Sequence, residues 1–171
     1  MFDGAFGQRK TTLLRLLNHI EQPDSGTVEG VPERIGMVFQ EDRLCEDYNL
    51  ITNVMLALPN TITKVGKERC RQNAQIAAHI RTQALQILPG DCLEKPVREL
   101  SGGMRRRCAI LRAVLSGAEI LIMDEPFSGL DEAARRETAN YILKELDTRT
   151  LFITTHREED VELLKGQRVS L

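Results

Sequence analysis

The sequence predicts an α/β layered fold on a mostly parallel sheet, with a helical segment inserted between its strands. Ile120-Leu121-Ile122-Met123 is a short apolar run bounded by Glu119 and Asp124, the pattern of a parallel strand covered on both faces. Strand-like and helix-like stretches alternate along much of the chain, which calls for crossover connections between parallel strands. Between Glu41 and about Glu99 the strand-like runs disappear and helical spacing takes over.

Taken in order, Met1 to Asp3 fits the end of a strand, because a glycine-bearing loop, Gly4 to Lys10, follows at once. Thr11 to Ile20 carries Leu13, Leu14, Leu16 and Leu17, too apolar for a surface helix and suited to one packed on a sheet. Pro23-Asp24-Ser25-Gly26 signals a turn before a short strand at Thr27 to Glu29, and Ile35 to Phe39 is a second apolar run, ending at Gln40. Lys67 to Leu88 sets Cys70, Ala74, Ala77, Ala78, Leu85 and Leu88 at mostly helical spacing, and Pro89-Gly90 stops that helix. Met104 to Leu115 is helical again. Asp131 to Leu146 is a helix with an acidic start, Leu151 to Thr154 a buried strand, Arg157 to Lys165 a helix with an acidic first turn, and Arg168 to Leu171 a last strand.

The chain has 171 residues, which suits one compact domain. With 23 Lys and Arg against 25 Asp and Glu, it lacks the basic surplus of a generic nucleic-acid binder. No stretch approaches the roughly 18 to 20 apolar residues of a membrane span, and the first residues show no charged leader before an apolar block. A soluble cytosolic chain is expected. Cys45, Cys70, Cys92 and Cys108 form no CxxC pair, so reduced, mostly buried thiols are expected.

Three local patterns carry chemistry. In ILIMDEPFSGLD, Ile120 to Asp131, a buried strand delivers Asp124 and Glu125 to its carboxyl end, where parallel sheets place ligands. One carboxylate there can hold magnesium through water while the other activates a water. The bland reading is an acidic turn that caps a helix. In GAFGQRKTT, Gly4, Gly7, Lys10, Thr11 and Thr12 fit a phosphate-cradling loop. Arg9 stands where that loop has a glycine, and a β-carbon there is expected to cost about 1 to 3 kcal/mol, weakening nucleotide affinity. In LSGGM, Ser101, Gly102 and Gly103 open a helix whose exposed donors suit an anion, or serve as a plain cap. Arg105, Arg106 and Arg107 read as a solvated face or as salt-bridge donors. Gln40 and His156 each follow a strand at the ligand-bearing edge, whereas His19 and His79 read as structural.

In this order and spacing the motifs resemble the nucleotide-binding subunit of an ABC transporter. They run as a Walker A loop at Gly4 to Thr12, a Q-loop at Gln40, a signature at Leu100 to Met104, a Walker B at Ile120 to Glu125, a D-loop at Ser128 to Asp131 and an H-loop at His156. VFQEDRL and SGGMRRR look most like importer ATPases of the nitrate, sulfonate and taurine type. The resemblance implies a P-loop NTPase (RecA-like) core at 1–40 and 118–171, its N-terminal strands missing, and a helical subdomain at 41–117. It implies ATP and Mg²⁺, with Lys10 on the β- and γ-phosphates and Thr11, Gln40 and Asp124 on the metal. Glu125 would be the general base and His156 a γ-phosphate contact. Asp131 would communicate across a dimer, and Ser101, Gly102 and Gly103 would act on ATP held by a second subunit. A separate membrane permease, a place on the cytoplasmic membrane face and no nucleic-acid partner follow from the same resemblance. Family members carry strands and an adenine-stacking aromatic residue before the phosphate loop, continue further at the other end, and usually have Gln where Met104 stands, so a truncated or mis-started chain is expected. A chromosome-maintenance ATPase of similar motifs would need a long coiled coil before the signature, and no sustained heptads lie there.

Overall fold

The computed structural model describes residues 6–18, 20–59 and 67–167, without the side chains of 6–11 and 67–69. Its sheet is parallel and has the order β1-β2-β3, with β1 at Ile35–Val38, β2 at Ile120–Asp124 and β3 at Thr150–Thr154. Register pairs Ile35 with Ile120 through Val38 with Met123, and Ile120 with Thr150 through Asp124 with Thr154. The central strand is the apolar run, and Leu121 to Asp124 are all buried, as expected for a strand between two neighbours. The apolar run of β3 predicts a buried strand, and the structure differs. β3 is the edge of the described sheet, with Phe152 exposed and Leu151 and Ile153 half-buried.

Among the described residues six α-helices accompany the sheet: α1 (Phe6–Leu17), α2 (Leu50–Ala57), α3 (Lys67–Ala84), α4 (Gly102–Leu115), α5 (Glu132–Leu146) and α6 (Glu158–Leu163). The α4 helix is central, burying Cys108, Ala109, Ile110, Leu111, Ala113 and Val114 and packing on α2, α3, α5 and β1. Its approach to β1 needs a glycine: a β-carbon at Gly36 would lie 2.7 Å from both Ala113 O and Leu121 Cδ2. Asn53 of α2 is buried, accepting from Cys45 N and donating to the carbonyls of Cys45, Tyr48 and Asn49. One amide thereby fixes the loop after β1, as a buried polar group must find partners.

Several expectations need correction. Residues 6–10 are the first turns of a helix rather than loop; Gln8, Arg9 and Lys10 are good helix formers, and the backbone at Arg9 is right-handed helical. Thr27 to Glu29 is irregular, since Gly26 and Gly30 on either side take left-handed φ of 84° and 76°, which interrupts extended chain. The helix from Lys67 ends at Ala84, and Ile87 and Leu88 reach the core from the turn that follows. The expected strands at Met1 to Asp3 and Arg168 to Leu171 lie outside the described residues, as does His19, whereas His79 is exposed beside an apolar groove.

All four thiols are free, but only Cys92 and Cys108 are buried; Cys45 and Cys70 are exposed, because they stand on a polar loop and an outer helix face. Burial pushes both interior thiols up, with neighbouring Cys92 adding to the effect at Cys108 and Asp91 to that at Cys92. Since the thiolate is the nucleophile, iodoacetamide at pH 8 should modify Cys45 and Cys70 in the folded chain and reach Cys92 and Cys108 only after unfolding. Peptide mass spectrometry with and without urea reads this directly.

Candidate functional site

Because the strands are parallel, their carboxyl ends share one edge. There β1 leads into Phe39 and Gln40, β2 into Asp124 and Glu125, and β3 into Thr154, Thr155 and His156. Asp124 is buried and accepts a hydrogen bond on Oδ1 from Thr154 Oγ1, its register partner. Glu125 has φ of 48°, a left-handed conformation that costs a non-glycine residue on the order of 1 kcal/mol and persists only where its surroundings fix it. Here its N–H donates to Thr154 O at 3.0 Å and its carbonyl accepts from Ser128 N at 3.1 Å. His156 Nε2 stands 3.4 Å from Glu125 Oε1, with the histidine side chain 75% exposed and the carboxylate 24%. The expected acid and histidine are thus neighbours at an open rim, and His156 also borders a cleft of about 490 Å³ lined by Arg135, Arg157, Glu158 and Glu159.

Other expected site residues fall around this rim. Gln40 is exposed directly after β1. Ser101 caps α4, its hydroxyl accepting from Met104 N at 3.3 Å, and Gly102 is open to solvent. A β-carbon at Gly103 would meet Gly129 O at 3.3 Å, so the signature turn and the turn after β2 lie against one another. Asp131 caps α5, accepting from Ala134 N at 2.8 Å; capping and a further role in a complex are compatible. Gly4 lies outside the described residues, as do the side chains of Lys10 and Thr11. Gly7, Lys10 and Thr11 have helical backbone in α1, and Thr12 is exposed.

The arginine run corrects the sequence reading most strongly. Arg106 is 3% exposed, neither solvated nor a simple ion-pair donor. It lies under the rim, where its guanidinium meets the carbonyls that follow β1 and end β2. Arg107 donates to Ile87 O and Gly103 O, and Arg112 to the carbonyls of Asp42 and Arg43. Desolvation lowers the pKa of Arg112, opposed chiefly by Cys45 and Asp42. Sequence reading also missed a second polar chain. Arg135 of α5 donates to Asp160 of α6 at 3.3 Å, and Thr155 Oγ1 donates to the other Asp160 oxygen at 2.6 Å. Arg135 also pairs with Glu132, whose carboxyl is held below its ordinary range first by Arg136 and then by Arg135. A helix N-terminal carboxylate paired with a buried arginine is the available signal, but its partner lies 25 residues away.

The oxygen donors at the rim, the Asp124 carboxylate and the Gln40 amide, are of the kind a hard divalent cation prefers. They stand at the ends of the adjacent strands β1 and β2.

The chain belongs to the ABC transporter family: the family model described as ABC transporter matches residues 2–128. Among curated relatives, the sulfate/thiosulfate import ATP-binding protein CysA of Bacillus cereus is 32% identical over 174 residues, covering 94% of this chain and 47% of the relative. The Nod factor export ATP-binding protein I of Cupriavidus metallidurans is 34% identical over 173 residues, covering 94% and 54%. The chain therefore spans about half the length of the curated relatives it matches. In three dimensions it resembles the dimeric ATP-binding cassette MJ0796 in a post-hydrolysis state bound to ADP and Pi, with a TM-score of 0.74, 22% identity and coverage of 92% and 74%. A metal-chelate type ABC transporter in an inward-facing conformation gives 0.69 at 27% identity, covering 94% and 64%. The expected α/β P-loop fold agrees with these cassettes. No helix among the described residues is long and apolar enough to cross a membrane.

The Arg135–Asp160 pair joins two helices beside His156 and is nearly inaccessible to solvent. Replacing Asp160 by Ala leaves a buried guanidinium short of a partner and should destabilise the chain by about 3 kcal/mol, the lower end for a broken buried pair because Glu132 remains. Adding Arg135→Met should recover a large part of that loss in urea unfolding.

Proposed function

We propose that the chain is the ATP-binding and ATP-hydrolysing part of a transport ATPase that energises a separate membrane permease for a small solute. The observation that carries this reading is the convergence of Gln40, Asp124, Glu125 and His156 on one sheet edge, with Glu125 and His156 3.4 Å apart. VFQEDRL and SGGMRRR favour an importer, as does the import relative, although the export relative shares the same cassette. The segment 41–117 is the helical subdomain, and 1–40 with 118–171 the nucleotide-binding core. Association at the cytoplasmic face of the membrane goes with a permease partner.

Hydrolysis in this reading is positioning and charge neutralisation. Lys10 holds the β- and γ-phosphates, with Gly4, Gly7, Thr11 and Thr12 as the other members of the phosphate-binding motif. Thr11, Gln40 and Asp124 would hold magnesium, which supplies positive charge to the phosphate oxygens when bound. Glu125 takes a proton from the attacking water, and His156 contacts the γ-phosphate. Ser101, Gly102 and Gly103 complete the site of a second nucleotide-binding subunit and Asp131 relays between the two, so a single chain turns over slowly.

Glu125→Gln should keep Mg·ATP affinity within a few-fold and lower kcat by at least about 10²-fold, the scale of a lost general base. Equilibrium binding and phosphate release measured side by side check this; loss of binding and turnover together would count against the assigned role. A second reading, a degenerate module that neither holds nor cleaves ATP and acts in regulation, is favoured by Arg9 where the phosphate-cradling pattern has a glycine. Arg9→Gly separates the two. Gain of Mg·ATP affinity points to a weakened ATPase, and no binding in either form points to the module.

A further inference from the structure

We propose that Arg106 is a positioning residue of the nucleotide site, setting the spacing between Gln40 and the Asp124-Glu125 pair from beneath the rim; this rests on the ATPase reading above. Its Nη1 donates to Phe39 O, to Gln40 O at 3.3 Å and to the Asp42 carboxylate at 3.2 Å. Its Nη2 donates to Asp124 O and, at 2.7 Å, to Glu125 O, and its Nε donates to Pro126 O at 3.2 Å. Arginine has five N–H bonds in a rigid planar fork, and this one serves six acceptors.

The position of the fork gives it a specific task. The ladder between β1 and β2 ends with Val38 opposite Met123. Just beyond that point the β1–β2 pairing stops, and Arg106 donates to carbonyls on both sides of the opening. It thereby fixes how far apart the two chains stand where they hand over to Gln40 and Asp124. It also takes the carbonyls on both sides of the left-handed Glu125 backbone, holding a conformation that needs outside support. Arg112, on the same helix, does the same for Arg43, whose φ is 45°. Ser101, which caps that helix, precedes Arg106 by little more than a turn, so the signature turn and the rim share one stiff element.

Arg106→Gln keeps hydrogen-bonding capacity but loses the fork and its charge, and Arg106→Lys keeps the charge alone. Both are measured in the full chain by phosphate release, Mg·ATP binding, thermal melting and amide hydrogen exchange. A positioning role predicts that kcat falls by about 10-fold or more, Mg·ATP Kd moves less than about threefold, the Mg²⁺ concentration for half-maximal rate rises, and lysine does not rescue. It also predicts faster exchange in segments 39–43 and 124–128 with α5 unchanged. A lower Tm with kcat per folded molecule and local exchange both unaltered would overturn it. Should the unsubstituted chain neither bind nor hydrolyse ATP, the functional reading fails, and the exchange pattern alone decides whether Arg106 holds the rim. Should Arg106→Gln fail to fold, Asp42→Asn, which removes only the ionic partner, carries the same test: local exchange rises, or the proposal falls.

Discussion

A parallel sheet that offers its carboxyl ends to a ligand must leave backbone carbonyls behind where the strands part, and a buried carbonyl without a donor is costly. In this chain one buried guanidinium meets that demand for two strands together. The β1 and β2 side of the rim is tied to it, because Gln40, Asp124 and Glu125 are attached to the very peptides it bonds. A buried charge is tolerable here because Asp42 and several carbonyl dipoles surround it. The ion pair is a weak argument for stability, since desolvation opposes it; its effect is better described as geometric.

The same economy recurs at smaller scale. Asn53 organises the loop after β1 with four hydrogen bonds, and Arg149 fastens the far end of α4 through Val114 O at 2.8 Å while also reaching the carbonyl of Leu146. Apolar packing places α4 over the sheet, and a few polar side chains with several donors or acceptors then determine where the connecting loops run. The rim residues are consequently held from the interior, while Gln40 and His156 themselves remain accessible.

Much of this was legible beforehand. A four-residue apolar run ending in two acids has few folded solutions, so β2, its burial and its carboxylates followed from ILIMDE, and Gln40 and His156 followed from the same strand-end logic. Other features were hidden for identifiable reasons. The α2 sequence LITNVMLA is apolar nearly all round and gives no helical periodicity, although Asn49 does cap it. The depth of Arg106 could not be read from three consecutive arginines, because its acceptors are mostly backbone atoms and carry no residue-type signature. The Arg135–Asp160–Thr155 chain joins three separate elements and acquires meaning only once α5 and α6 are packed. Glycine patterning misled at residues 6–10, where a helix stands in place of the loop, and at Thr27 to Glu29, where the irregular chain signalled by the turn runs on instead of becoming a strand.

The tight seat of α4 on Gly36 has a mechanical corollary. With main chain and side chain already crowding the space a methyl group would need, the helix cannot advance toward β1 or slide along it without collision. Turning about that seat would have to break the bonds that Arg106 and Arg112 make to the peptides after β1 and β2. A displacement of α4 would therefore carry those peptides with it, and the strand ends would register it.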